Sequence, residues 1–418
     1  MMKNIQPNTD RIRRDIEALA ETIDPNAGGY TRISFSDEDR RARKYLREVM
    51  ETEADFEVRI DAAANLIGYR AGQRDAPCIM VGSHLDTVPG GGRFDGIAGV
   101  IAGLEVARRF REENIVLQHS LEVVDFLAEE PSPFGLSTIG SRGMAGKLNS
   151  EKLLSITDNT GRTLFDAIGE MGGDPGNIDK ARRSCRDILL NLELHIEQGP
   201  QLYNQGIDIG IVSGIVGIYR GNIEVSGRMD HAGTTPMSIR SDALTAAAEV
   251  TLCLEMICRQ FADLVGTTGT FEIYPNAANV IPSRVTLGME VRCQESSKLQ
   301  ATVAEFKSCV DRISRERRIE IKADIRPSSN PVIFDQKIKE TLAVACKHSK
   351  ISCLELTSGA SHDASHIAEF APTGMIFIPS REGRSHCPQE WSEFEHVGRG
   401  VVVLANAIQM VDEKQQND

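Results

Sequence analysis

The chain has 418 residues, 41% of them hydrophobic and 26% charged, enough for two or three domains with a sizeable core. Its formal net charge of −13 leaves no basic face for nucleic acid or an anionic membrane, and without a signal-peptide pattern or a long apolar run it reads as cytoplasmic. The nine cysteines are scattered, with no C-x-x-C pair, and read as reduced core or surface thiols.

Ile12, Ile16, Leu19 and Ile23 recur at helical spacing, and Ser36-Asp-Glu-Asp39 opens a second, charged helix with a capping signature. An apolar run through Met80-Val-Gly-Ser83 then delivers His84 and Asp86 to its end, and the glycine loop Pro89-Gly-Gly-Gly-Arg-Phe-Asp-Gly96 presents Asp95. An imidazole and a carboxylate suit Zn²⁺ or Mn²⁺. Asp86, two residues from His84, is placed to hold the other ring nitrogen. A helix over 97–113 follows the loop directly.

A second apolar run, Leu121–Ala128, reads as a buried strand and ends in Glu129-Glu130, whose side chains diverge if the backbone stays extended. One of the two can bind a metal while its neighbour reaches for water. A third run ends in Leu194-His-Ile-Glu-Gln-Gly199, placing His195 at a strand end with Gln198 just past it. A fourth, Met375–Ile378, is followed by Ser385-His-Cys-Pro-Gln-Glu390 and brings His386. Four strand ends on one rim are what an open α/β sheet offers a ligand. His119, His348 and His396 lack such settings and read as structural, and Cys387 reads as a bystander.

Between 213 and 328 the pattern changes to strand 217–229, helix 238–262, strands 268–274 and 284–292, helix 297–316 and strand 318–325. That order is the β-α-β-β-α-β split unit of ferredoxin-like domains. The expected organisation is therefore α/β: a mostly parallel catalytic sheet flanked by helices over 1–212 and 329–418, with an inserted α+β lid or dimerisation domain over 213–328. The last six or so residues read as a polar tail.

Gly82-Ser-His-Leu-Asp-Thr87, Leu194-His-Ile-Glu-Gln-Gly-Pro200, His231-Ala-Gly-Thr-Thr-Pro236 and Ser385-His-x-Pro-x-Glu390 resemble the hydantoinase/carbamoylase group of two-metal amidohydrolases, and the likeness runs from about residue 10 to 410. The resemblance implies one metal on His84, His195 and Asp95, another on Glu130, His386 and the same Asp95, and Glu129 as general base. The metals would be two divalent ions per subunit, Zn²⁺ or Mn²⁺, with Co²⁺ or Ni²⁺ also suitable. It implies a homodimer in which His231 crosses the interface to polarise the scissile carbonyl. It further implies substrate contacts from Asn279, Arg292 and the Gly359-Ala-Ser361 loop. A planar guanidinium such as that of Arg292 grips a carboxylate in bidentate fashion, although a salt bridge with Glu290 is the simpler reading. The simpler reading of His231 is a turn histidine bonded to Thr234 or Thr235.

The implied reaction is hydrolysis of the ureido C–N bond of an N-carbamoyl-L-amino acid to the amino acid, carbon dioxide and ammonia. His195 and Gln198 speak against a metallopeptidase or aminoacylase, since such relatives usually carry a carboxylate where His195 stands, while the Gln198 amide can both donate to and accept from a ureido group. Glu129 beside a full ligand set speaks against an inactive metal-binding scaffold. Allantoate or ureidoglycolate is the alternative substrate: Glu129-Glu-Pro-Ser-Pro-Phe-Gly135 leans toward the ureidoglycolate type and His231-Ala-Gly-Thr-Thr-Pro236 toward the carbamoylase. Two departures bear on specificity, Glu290 where aspartate is usual and Ser361 where glycine is usual.

Overall fold

The computed structural model describes residues 3, 5–74 and 77–414, so most of the expected polar tail lies outside the described residues. The chain forms two compact units, one of 1–213, 334–356 and 362–418, the other of 214–333 and 357–361.

The first unit opens with two helices, Thr9–Glu21 and Asp37–Glu53. Ile12, Ile16 and Leu19 bury one face of the first, and the helix stops at Glu21, short of Ile23. The second is capped by Ser36, whose hydroxyl accepts from the Asp39 amide. Six strands follow: β1 (Glu57–Ile60), β2 (Leu66–Arg70), β3 (Cys78–Ser83), β4 (Leu121–Asp125), β5 (Ile188–Ile196) and β6 (Ile209–Ile215). The second unit contributes β7 (Gly217–Ser226), β8 (Val265–Tyr274), β9 (Arg284–Cys293) and β10 (Glu320–Ser329). After them come β11 (Val332–Ile333), β12 (Cys353–Ser358) and β13 (Thr373–Ile378), and helix Phe394–Lys414 ends the described chain.

The sheet of the first unit runs β1-β2-β4-β3-β5-β13-β6. Its centre, β4-β3-β5-β13, is parallel, and the flanking pairs β1-β2, β2-β4 and β13-β6 are antiparallel. β3, β4 and β13 are buried at every residue, as parallel strands covered on both faces must be. Helix Ile97–Glu112 is apolar nearly all round and buried along most of its length. Because the four central strands point the same way, their C-terminal ends share one rim.

The second unit is a four-stranded antiparallel sheet in the order β10-β7-β9-β8, the ferredoxin-like arrangement. Helices Ala243–Cys258 and Ser296–Arg317 share its core. β9 alternates strictly: Val285, Leu287, Met289, Val291 and Cys293 are buried, so Glu290 and Arg292 project from the opposite face. The first helix begins at 243 and not at 238, because the Asp242 carboxylate caps it by accepting from the amides of Leu244 and Thr245. Residues 357–361 group with this unit through bonds from the Val216 amide to the Ser358 carbonyl and from Arg292 to the Gly359 carbonyl.

The expectation of reduced thiols needs one correction. Cys253 and Cys309 form a disulfide, since the two helices of the second unit lie side by side and bring together residues 56 apart in sequence. No spacing rule exposes such a pair.

Candidate metal centre

β3 ends at Ser83, β4 at Asp125, β5 at Ile196 and β13 at Ile378, and the candidate ligands follow these ends or, like His195, lie within one residue of them. His84 and His195 are fully buried, and Asp95, Glu129 and Glu130 nearly so, while the side chain of His386 is half exposed. Asp95 is the centre of the cluster. Its Oδ1 lies 3.0 Å from His195 Nε2 and 3.8 Å from His84 Nε2, and its Oδ2 lies 3.3 Å from His386 Nε2. Glu130 Oε1 stands 3.4 Å from the same His386 nitrogen, and Glu129 Oε2 stands 3.7 Å from His84 Nε2. The ligand atoms of His84, Asp95 and His195 all fall within 4.8 Å of one another, as do those of Asp95, Glu130 and His386.

Local backbone geometry explains this convergence. Gly96, at φ +69°, caps helix Ile97–Glu112, and a β-carbon there would stand 2.4 Å from the His84 ring, so the loop carrying Asp95 can approach only as glycine. Ala128, Gln198 and His386 hold left-handed conformations at φ +52°, +56° and +54°, a sparsely populated region for non-glycine residues that clusters at functional sites. The turn at Ala128 lets the Asp86 carboxylate accept from both following amides, Glu129 N at 3.1 Å and Glu130 N at 3.2 Å. With their backbones pinned by one carboxylate, the two glutamates diverge, one toward His84 and the other toward His386.

The imidazoles are oriented for coordination. His84 Nδ1 lies 3.0 Å from the Asp86 carbonyl oxygen and His195 Nδ1 lies 3.0 Å from that of Ile196. A carbonyl can only accept, so in a neutral ring the proton sits on Nδ1 and the Nε2 lone pair faces Asp95. Both Nε2 atoms are buried and make no directed hydrogen bond. Unpartnered buried nitrogens beside a carboxylate are costly unless a cation stands between them, and three imidazoles with carboxylate oxygens are a fitting donor set for a divalent transition ion.

Electrostatics point the same way. Burial holds the Glu129 carboxyl well above the usual range; the neighbouring His84 works against this and the charge of Glu130 adds to it. Asp95 goes the other way, because the charges of the nearby His195 and His84 and its contact with His386 outweigh its burial and hold it well below. Hydrogen bonding to Asp95 and Glu130 pushes His386 up to about 10. Three carboxyl groups and three imidazoles share this space, and a cation among them would favour ionised carboxylates and neutral rings.

Other expected site residues are distributed as follows. The Gln198 amide nitrogen donates to Asp95 Oδ2 at 2.8 Å. In the second unit, His231 Nδ1 accepts from the Gly233 amide at 3.0 Å and its carbonyl accepts from the Thr235 amide at 3.2 Å, so a neutral ring of this exposed residue carries its proton on Nε2. Asn279 lies beside it, since its carbonyl accepts from the Ala232 amide. Arg292 does make the ion pair with Glu290, Nε to Oε1 at 2.5 Å, and its Nη1 also donates to the Gly359 carbonyl at 2.6 Å. Glu290 holds Arg220 as well. Ser361 is exposed at the end of the same loop.

Three buried groups beneath the rim carry no assignment from sequence. Glu193 accepts from Ser83 Oγ at 3.0 Å and from the Ala364 amide at 3.1 Å. The His362 ring packs edge-on against His195 with centroids 4.5 Å apart, and Asp363 accepts from Ser141. Glu193 was open to discovery through the alternation of β5, two residues before His195 on the same face. His362 and Asp363 reach the site from 167 residues beyond His195, and no local pattern shows that.

A parallel sheet with buried imidazoles and carboxylates on its C-terminal rim offers two groups of side chains that could hold metal ions, in a chain that also carries a ferredoxin-like unit. The chain belongs to peptidase family M20/M25/M40, which it matches over residues 80–410. It is 37% identical over 412 residues to an N-carbamoyl-L-amino-acid amidohydrolase from a Pseudomonas species, covering 97% of this chain and 99% of that one. It is 38% identical over 400 residues to the enzyme of that name from Geobacillus stearothermophilus, covering 96% and 97%. An allantoate amidohydrolase from Bacillus subtilis matches at 33% over 395 residues, covering 94% and 95%. Among solved structures, an amidase of the hydantoinase/carbamoylase family from Burkholderia multivorans superimposes with a TM-score of 0.90 at 32% identity, covering 97% and 98%. The chain is thus a hydrolase acting on C–N bonds of linear amides.

Proposed function

We propose that the chain hydrolyses the ureido C–N bond of N-carbamoyl-L-amino acids, with two divalent cations held by His84, His195 and Asp95 and by Glu130, His386 and Asp95. The observation that carries this reading is the Asp95 carboxylate, whose two oxygens face different histidines at 3.0 and 3.3 Å. When bound, the cations supply Lewis acidity, which polarises a carbonyl and makes water a nucleophile at neutral pH. Zn²⁺ and Mn²⁺ suit the donors best, and Co²⁺ or Ni²⁺ fit as well.

Glu129 does the proton work. Its Oε2 is aimed at the His84 side of the cluster, where it takes a proton from water and returns it to the leaving nitrogen. His231, with Nε2–H exposed, donates to the oxyanion as it develops. Arg292 has Nε and one Nη1 hydrogen engaged, which leaves the Nη1/Nη2 edge for a substrate carboxylate in bidentate geometry. Asn279, Gly359 and Ser361 border these groups in the second unit and share in recognition, while Gln198 serves the ureido group.

The identities of 37 and 38% with carbamoylases, against 33% with an allantoate enzyme, favour the N-carbamoyl substrate. A homodimer is supported by an open edge on β8 whose Val265 and Phe271 are exposed, together with Leu252 and Met256 on helix Ala243–Cys258. Among the described residues no helix is long and apolar enough to cross a membrane, in keeping with a small-molecule substrate met in the cytoplasm.

Ammonia release from a panel of N-carbamoyl-L-amino acids, allantoate, ureidoglycolate and N-acetyl amino acids tests the proposal. The N-carbamoyl compounds should give the highest kcat/KM. A preference for allantoate or ureidoglycolate would replace the substrate, and a preference for N-acetyl compounds would replace the ureido reading altogether.

A further inference from the structure

We propose that Glu390 is a positioning residue that locks the two ligand-bearing loops of the cation centre together, an inference that rests on the two-cation reading above. Glu390 is 1% exposed and lies 295 residues from Asp95 in sequence, yet its Oε1 accepts from the Phe94 amide at 2.9 Å and from the Asp95 amide at 3.0 Å. Its Oε2 accepts from Ser385 Oγ at 2.8 Å, and that hydroxyl also lies 3.0 Å from Asp95 Oδ2. One carboxylate therefore grips the backbone of the central Asp95 and, through Ser385, the segment that carries His386.

The surroundings are built around this clamp. A β-carbon at Gly92 would fall 2.1 Å from Glu390 Oε1, so the glycine loop closes over the carboxylate only because no side chain intervenes. The Glu390 amide bonds to the Cys387 carbonyl at 3.0 Å, which closes the His386 loop on itself. Next in sequence, Trp391 packs edge-on against Phe94 and Phe394, with centroids 5.2 and 5.6 Å away, and so seats the residue after Glu390 on the residue before Asp95. Ser385 has one proton and two carboxylate acceptors, so it satisfies only one of them at a time. Two buried carboxylates sharing a single hydroxyl are unfavourable unless positive charge stands nearby, and a cation on Asp95 supplies it. Since Asp95 belongs to both candidate triads, loosening the clamp weakens both sites, whereas Asp86 supports His84 Nδ1 and the backbone of the two glutamates and touches no group of the clamp.

The experiment measures cation affinity and stoichiometry on the chelator-treated full-length chain titrated with Mn²⁺ and, separately, Zn²⁺, alongside the melting temperature of each metal-free protein. Glu390→Ala should weaken binding at both sites by about 10- to 100-fold, the usual cost of removing a partner that orients a metal ligand. Glu390→Gln should restore most of that affinity, because its amide oxygen still accepts from both backbone amides and its nitrogen meets the Ser385 oxygen. Ser385→Ala, which removes only the hydroxyl link, should lose affinity in the same direction by up to about tenfold. A purely structural role would lower the melting temperature and leave affinity unchanged, so a folded Glu390→Ala chain that binds both cations like the wild type overturns the proposal. If Glu390→Ala does not fold, wild-type affinity in Ser385→Ala overturns it instead. A wild-type chain that takes up no cation overturns the two-cation reading, and this inference with it.

Discussion

Around Asp95 every candidate ligand except His386 is more than nine-tenths buried, and both the backbone and the side chain of Asp95 are held by neighbours. On the second unit, His231 and Asn279 are exposed, and Arg292 binds Glu290 through Nε and the Gly359 carbonyl through Nη1 while its side chain stays partly exposed. Groups of the first kind are set by folding before any substrate arrives, so their dipoles and lone pairs cost no reorganisation during reaction. Groups of the second kind keep hydrogen-bonding capacity in reserve for a ligand. Substitutions in the two regions should therefore fail differently: the first should disturb cation binding or the chemical step, the second recognition with the cations intact.

The largest effect that leaves the ligand set whole is expected at Glu129. Glu129→Gln should keep two cations per chain and lose about 10² to 10⁴ in kcat, read by steady-state kinetics beside metal analysis. Loss of a cation from this variant would move Glu129 into the ligand set and blur the distinction between base and ligand.

His231→Ala should lower kcat by about 10² to 10³, the scale of removing one oxyanion donor, with no change in cation content. Mixing it with Glu129→Gln chains sharpens the comparison. Heterodimers that regain about half a wild-type dimer's activity place His231 in the partner's service, and proven heterodimers without recovery assign it to its own subunit or to structure.

Arg292→Ala carries the smallest expected loss, about 2–4 kcal/mol in kcat/KM for a substrate bearing a carboxylate. The same variant should lose far less on the corresponding neutral amide. An equal loss on both would show that breaking the Glu290–Arg292–Gly359 contacts damages the loop itself.

The parts of this centre that sequence exposes are those where a rare residue type ends an apolar run. His84, Asp86, Glu129-Glu130, His195 and His386 stand at such ends because parallel strands deliver them to one rim, and the structure brings them together there. The ferredoxin-like order was equally open to reading, since alternation along β9 and the long helical run after 242 differ so plainly in period. Bounds were harder, because the Asp242 cap and the turn at Ala128 depend on single hydrogen bonds and dihedrals. Least visible were groups whose meaning lies in a distant partner: Glu390 bonding to Asp95, His362 against His195, and Cys253 bonded to Cys309. Each is an ordinary residue in its own segment and acquires a role only when the chain closes.

That Asp95 unites two cation sites is tested most directly by counting cations. The wild type and Asp95→Asn should be stripped with a chelator, reloaded with Mn²⁺ or Zn²⁺, and analysed for cations per chain and for ammonia release from an N-carbamoyl-L-amino acid. The account predicts two cations and restored activity for the wild type. It predicts a folded Asp95→Asn chain that retains neither cation firmly and is inactive. Two tightly held cations in Asp95→Asn, or full activity in a wild type proven free of metal, would contradict it.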